Sequence, residues 1–260
     1  MTFTIQLSTN RGTFMMNRHD LHQPHAIVNT GRPHIDHEIE ALLTISDWLP
    51  DGAVFVDAGA NIGLISIPMA LRFQERGGRV VAFEPQRLTY YMLAGNAALA
   101  GLSNIYCHQI ALSSEPGSIV VPERDPHQHQ DFGAVSLVSG ELNGIEVRAI
   151  PVDELGLDRL DLLKLDVEGM ELVVLGGATQ TIAAFRPLIW IEIWPNNYES
   201  VAPWFAANQY TILTFDALNF CAVPDEKLEQ FPFKFPRFDG VTNPFFSEAF
   251  GVQASHGTDQ

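Results

Sequence analysis

The stretch Val54-Phe55-Val56-Asp57-Ala58-Gly59-Ala60-Asn61-Ile62-Gly63 decides how the rest of the chain is read. Its three leading apolar residues make a short buried strand. Gly59 permits a tight turn and lets a ligand come close to the backbone. A helix follows over roughly 64–74, and Pro68 is tolerated only near its first turn. The helix therefore begins around Leu64 and presents free N–H groups there. Strand, glycine turn and helix in succession open a βαβ unit.

Outward from this stretch the same rhythm repeats. Strands are expected over 79–83, 105–110, 160–165 and 188–193, and helices over roughly 86–100, 170–176 and 197–207. Residues 210–215 and 220–223 read as a closing hairpin. This alternation predicts an α/β fold: a doubly wound, Rossmann-like sheet, mostly parallel, with an antiparallel C-terminal hairpin. Such a sheet holds its ligand at the carboxyl ends of the strands. Upstream, Ile39, Leu42, Leu43 and Leu49 share a helical face that begins at Asp36 and ends at Pro50-Asp51-Gly52. Residues 1–35 read as a polar, His-rich arm with a short strand and loops. Residues 114–152 break the rhythm, with alternating segments 118–121 and 145–150 around Asp125-Pro126-His127-Gln128-His129. They predict a β-hairpin insertion above the sheet, where substrate-selecting elements usually sit. The chain reads as a single domain over 1–260, without internal repeats. Its parts are an N-terminal arm and helix (1–50), a cofactor-binding core (51–224) and a Phe- and Pro-rich tail (225–260) packed on that core.

Composition narrows the function. At 260 residues, 46% hydrophobic and 18% charged, the chain can bury a sizeable core and is not a disordered segment. A net charge of −16 repels phosphate backbones, so neither nucleic acid nor an anionic membrane is an expected partner. Two cysteines, Cys107 and Cys221, are too few for a disulfide scaffold and fit a reducing compartment. The N-terminal residues contain no continuous apolar stretch of the signal-peptide kind. The most apolar region, 53–71, is interrupted by Asp57, Asn61 and Pro68, which argues against a membrane span. A soluble, cytoplasmic protein is the expectation.

The strand ends carry the chemistry. Glu84, followed by Pro85, closes the second strand 27 residues beyond Asp57, where a carboxylate can accept hydrogen bonds from a ribose diol. A nicotinamide dinucleotide asks for G-x-G-x-x-G, and here Gly59 and Gly63 stand but Asn61 replaces the middle glycine. An acid at the head of the turn, Asp57, suits an ammonium-bearing ligand better than a diphosphate. S-Adenosylmethionine carries an ammonium and a sulfonium and no phosphate. The plainer alternative is that Asp57 caps the loop and Glu84 is a surface acid.

VFVDAGANIG at 54–63, AFEP at 82–85 and LDLLKLDVEGMELVVLGGA at 160–178 resemble the signature blocks of the FkbM family of S-adenosylmethionine-dependent methyltransferases. The resemblance spans roughly 36–112 and 150–195 and leaves out the insertion, the arm and the tail. It implies a class I methyltransferase fold and methylation of hydroxyl groups on sugars, macrolides and other secondary metabolites. It also implies that Asp57, Gly59 and Asn61 line the methionine part of the cofactor, with Gly63 and Asp166 completing that set. Glu84 then holds the ribose, and the adenine lies near residues 108–111, with Gln109 as its polar contact.

The reacting end falls in Lys164-Leu165-Asp166-Val167-Glu168-Gly169-Met170-Glu171. Methyl transfer to oxygen is an in-line displacement that needs an aligned acceptor, and an alcohol needs a base. Asp166 and Glu168 are the candidates to orient or deprotonate it, although either can instead cap the next helix or bind the cofactor. Lys164, inside a strand, is expected to pair with a carboxylate. Glu192 interrupts the apolar run Trp190-Ile191-Glu192-Ile193-Trp194-Pro195, which favours a substrate-side role over a structural ion pair. His129, paired with His127 in an H-x-H, is the alternative base. That pair reads as solvated loop residues, and no metal is expected. His19, His22, His25, His34 and His37 read as arm residues, and Trp48, Trp190, Trp194 and Trp204 as packing. The phenylalanines of the C-terminal part fit burial against the sheet, an apolar acceptor or a subunit interface, so a homo-oligomer stays open. The expected partner is a small-molecule or glycoside hydroxyl. The rivals are a nicotinamide-dependent oxidoreductase, which lacks a Tyr-x-x-x-Lys here, and a non-catalytic module that keeps the cofactor fold as a scaffold.

Overall fold

A computed structural model of the protein describes residues 2–133, 144–243 and 245–246. Its contacts divide the chain into two compact units, Met1–Arg186 and Pro187–Gln260.

The first unit is built on four parallel strands: β3 (Val54–Ala58), β4 (Arg79–Phe83), β5 (Ile105–His108) and β9 (Leu162–Leu165). Their spatial order is β9-β3-β4-β5. All five residues of β3 and all four of β9 are buried, which is why both read as apolar runs rather than alternating strands. Helices α3 (Ser66–Gln74) and α4 (Arg87–Leu99) are the crossovers that parallel pairing requires. Pro68 falls in the first turn of α3, as its missing N–H demands. Phe55, Phe73, Phe83, Leu42 and Ile45 are among the most deeply buried side chains, each contributing about 1.5–3 kcal/mol by leaving water.

The N-terminal region is more ordered than an arm. β1 (Thr4–Thr9) and β2 (Gly12–Asn17) form an antiparallel hairpin, followed by α1 (Gln23–Thr30) and α2 (Asp36–Trp48). The hairpin is anchored from outside itself. The Asn96 amide on α4 accepts from the Met15 N–H at 2.6 Å and donates to the Met15 and Ile62 carbonyls at 2.9 Å each. That tie across 81 residues leaves no local sequence signal.

The insertion contains β7 (Gly117–Pro122) and β8 (Gly144–Ile150), paired antiparallel, with the short β6 (Ala111–Leu112) running parallel to β8. Residues 134–143 of the expected hairpin lie outside the described residues. The polar segment before them is laid along the N-terminal region. Asp20 and Gln130 form a parallel bridge, and the Asn17 amide donates to the Pro126 carbonyl at 3.0 Å. After β9 come α5 (Glu171–Gly176) and α6 (Thr179–Phe185). Helix α6 has no capping residue of its own; the Asp153 carboxylate accepts from the N–H groups of Gln180 at 3.1 Å and Thr181 at 2.7 Å.

The second unit holds β10 (Leu188–Glu192), α7 (Tyr198–Ala207), β11 (Tyr210–Thr214) and β12 (Asn219–Pro224). β12 lies antiparallel between β10 and β11. Residues of the tail run along the outer side of β11, with Thr214 N–H to the Pro236 carbonyl at 2.7 Å and Phe238 N–H to the Ile212 carbonyl at 2.9 Å. The Phe238 ring packs on Tyr198 and Phe220, each at 4.8 Å. Of the described tail phenylalanines, Phe231 is buried, and Phe233, Phe235, Phe238, Phe245 and Phe246 are half-buried.

Candidate active site

Parallel register places the ends of three strands side by side: Ala58 is opposite Phe83 on one flank and Leu165 on the other. The turns that follow, carrying Gly59, Glu84 and Asp166, therefore emerge at one edge. The Phe83 carbonyl accepts from the N–H groups of both Gly59 and Ala60, at 3.0 and 2.9 Å. Gly59 has φ +79°, and a Cβ there would stand 1.8 Å from the Asp166 carbonyl oxygen. Only glycine lets these two turns touch.

Between the turns opens a cavity. Gly59, Asn61, Glu84, Gln86, Asp166 and Glu168 supply its polar wall; Phe83, Pro85, Ile110, Ala111, Leu112 and Met170 supply its apolar one. Among the described residues three carboxylates line it and no lysine or arginine does. That donor set opposes a diphosphate and suits a cationic ligand bearing a diol.

Glu84 is 4% exposed and takes a backbone N–H on each oxygen, Gln86 on Oε1 at 2.8 Å and Asn61 on Oε2 at 2.9 Å. Burial pushes its carboxyl up to about 7 against the opposing pull of those two N–H groups. Asn61 and Glu168, both on the wall, are non-glycine residues in the left-handed region, at φ 49° and 53°. Such strain collects at functional sites. The Glu168 carboxyl is also pushed up to about 7, first by burial and then by the charges of Asp166, Asp131 and Glu171.

The structure brings Gly59, Asn61, Glu84, Asp166 and Glu168 together on the cavity wall, and Asp57, Gly63, Gln109 and His129 do not line it. Asp57 is fully buried behind the wall, where it accepts from Ser66 Oγ at 2.5 Å and faces Lys164 Nζ at 3.4 Å. Gly63 packs under Leu93 and Ile67. Gln109 is not among the lining residues, although Ile110, Ala111 and Leu112 beside it are. His108 stacks on Phe83 with ring centres 5.2 Å apart, and burial lowers its imidazole pKa. His129 is exposed, with Nε2 3.4 Å from His19 Nδ1, and is not on the cavity wall. Glu192 ends β10 in the second unit, half-buried and in register with Asn219.

Two participants escaped the sequence reading. Gln86 lines the cavity and donates from Nε2 to the Phe132 carbonyl at 3.0 Å, tying the insertion to its mouth. Glu171 is 3% exposed, and its Oε1 accepts from the N–H of Gly169 at 3.0 Å and of Val167 at 3.4 Å, holding the turn that carries Glu168. An acid in the first turn of a helix, two positions past a glycine, was the available signal.

The fold and the site together define an α/β protein that holds a cationic nucleoside cofactor at its strand ends. Residues 57–218 match the methyltransferase FkbM domain, and the chain belongs to that family. It is 32% identical over 178 residues to Methyltransferase sdnD of Sordaria araneosa, covering 56% of this chain and 68% of that protein. Over 151 residues it is 28% identical to Methyltransferase 1 of Beauveria bassiana (strain ARSEF 2860), covering 49% and 59%. The crystal structure of methyltransferase FkbM from Methylobacillus flagellatus KT superposes with a TM-score of 0.51 at 20% identity, covering 76% of this chain and 52% of that one. This likeness bears out the class I methyltransferase fold, and the chain spans about half the length of that structure. S-Adenosylmethionine is the methyl donor of the class, and the acidic, diol-competent cavity fits it.

Proposed function

We propose that the protein methylates a hydroxyl group of a small molecule, a sugar or another secondary metabolite, with Glu168 as the base. The observation that carries this reading is the placement of Glu168 beside Asp166 on the cavity wall, with a carboxyl pushed up to about 7. A base titrating near neutrality combines an ionised fraction with useful proton affinity.

S-Adenosylmethionine, when bound, supplies an electrophilic methyl group on sulfur. Glu84 has lone pairs left over from its two backbone contacts and receives the ribose hydroxyls. Asp166 and the Gly59 carbonyl receive the ammonium, a task Asp57 cannot take from its closed position. Glu168 takes the acceptor's proton, and Met170 with Val167 keeps water from that side. The net charge of −16 supports a small, uncharged or cationic acceptor over nucleic acid. Both cysteines are free, which supports a reducing compartment such as the cytoplasm. No helix among the described residues is long and apolar enough to cross a membrane.

The test is calorimetry with S-adenosylhomocysteine followed by turnover on a panel of hydroxylated acceptors. Glu168→Gln should keep the dissociation constant within about threefold while turnover falls about 100-fold or more. Wild-type turnover should rise with pH and level off above about 7. Absence of S-adenosylhomocysteine binding sinks the cofactor assignment, and full turnover by Glu168→Gln sinks the base.

A further inference from the structure

Lys164 is a charged residue in the middle of a buried strand, 2% exposed. It stands in register opposite Asp57, so the two side chains lie on the same face of neighbouring parallel strands. Its ammonium has three protons and three oxygens around it: Asp166 Oδ2 at 3.1 Å, the Gly59 carbonyl at 3.3 Å and Asp57 Oδ1 at 3.4 Å. Burial alone would lower the pKa of this ammonium, but the charges of Asp166, Asp57 and Glu38 outweigh it and raise it. Lys164 is therefore a permanent cation.

An ion pair closed inside the sheet accounts for Asp57, the longest of the three contacts, but the shorter ion pair, at 3.1 Å, is with Asp166. The two shorter ones go to atoms of the turns that form the cavity wall. Both belong to residues to which the proposed function assigns the ammonium of the cofactor. We propose that Lys164 is a positioning residue that holds the Gly59 carbonyl and the Asp166 carboxylate at the spacing that receives the amino-acid arm of S-adenosylmethionine. This rests on the cofactor reading given above. Lys164 does not touch the ligand: it lies behind the wall, and a second cation in direct contact with the ammonium would oppose binding.

The charges fit this division of labour. Asp57 and Asp166 give two negative charges around one ammonium, so the cluster keeps a net negative charge for an incoming cation. Ser66 Oγ and Lys164 Nζ share Asp57 between them, so removing Lys164 alone leaves a buried carboxylate without its cation. A test therefore needs a variant in which both charges are removed together.

The experiment compares two ligands by calorimetry: S-adenosylhomocysteine, which carries the amino-acid arm, and 5′-methylthioadenosine, which lacks it. The proteins are wild type, Lys164→Arg, Lys164→Met and the double variant Asp57→Asn/Lys164→Met, each checked by thermal melting. The double variant should lose tenfold or more in affinity for S-adenosylhomocysteine while its affinity for 5′-methylthioadenosine stays within about threefold. Lys164→Arg should recover part of the loss, because it keeps the charge and the donors. A purely structural role would weaken both ligands equally or neither. Either of those results in the folded double variant, or equal weakening of both ligands in Lys164→Arg should the double variant fail to fold, overturns the assignment. Failure of the wild-type protein to bind either ligand instead overturns the cofactor reading and takes this inference with it.

Discussion

Gly59→Ala is the sharpest perturbation of the contact between the two site turns. The added Cβ meets the Asp166 carbonyl oxygen at 1.8 Å, and Gly59 sits at φ +79°. Two costs follow. The left-handed backbone disfavours alanine by about 1–2 kcal/mol, and overpacking a tight contact typically adds about 1–3 kcal/mol. The steric part has no cheap escape. The obstacle is backbone at the end of β9, tied to β3 by the Asp166 N–H to the Ala58 carbonyl at 3.2 Å. Opening the contact to about 3 Å or more moves the turns apart by over ~1 Å, which also breaks the Lys164 contact to the Gly59 carbonyl. Gly101→Ala is the matched control, because Gly101 has φ +67° with nothing within 4 Å of its notional Cβ. It isolates the backbone cost. Thermal melting should lower the transition by roughly 5–15 °C for Gly59→Ala and only a few degrees for Gly101→Ala, at ~2–4 °C per kcal/mol for a chain of this size. Calorimetry should show S-adenosylhomocysteine binding lost or weakened at least tenfold in Gly59→Ala alone. If the two variants melt together and bind alike, the turns do not meet as described.

Other outcomes follow from the same geometry. Glu84 and Glu168 both have carboxyls raised from 4.5 to about 7 in the folded protein, so folding binds protons between those values. The stability this confers is complete below about pH 4.5 and lost as pH rises through about 7, so the melting temperature of the ligand-free protein should fall between pH 5 and 8. For Glu84 the change corresponds to about 3 kcal/mol at ~1.4 kcal/mol per pH unit. His108, whose imidazole burial pushes down, works in the opposite sense below pH 6.5, and a melting temperature that climbs steadily to pH 8 would refute the assignment. Asn96→Ala should destabilise the protein by about 3 kcal/mol in denaturant unfolding, because it leaves the Met15 N–H and the carbonyls of Met15 and Ile62 without their partner. A loss below about 1 kcal/mol would show that the N-terminal hairpin is held by other means.

Local order along the chain made the strand and helix cores legible. β4 and the first residues of β3 and β5 fall where the apolar runs put them, and β3, buried on both faces, needs only a short apolar segment. α3 began two residues later than Pro68 and Leu64 suggested, within the fraying expected of a helix end. What stayed hidden has non-local causes. α6 is capped by Asp153 from across a loop, and the β1–β2 hairpin is pinned by Asn96. Neither partner lies within a sequence window that periodicity can read.

The sequence by itself determined the class of the protein. The order of apolar runs, the Gly59 turn and the acid after the second strand specify an α/β cofactor fold, since backbone sterics and burial act over a few residues. Only the tertiary structure decided which acids face the cavity. Asp57 and Asp166 read alike as strand-end carboxylates. Register against Lys164 and the hydroxyl of Ser66 close Asp57 off, while Asp166 stands on the cavity wall. A carboxylate's work depends on what shares its side of the sheet, and that is fixed by strands brought together from more than 100 residues apart.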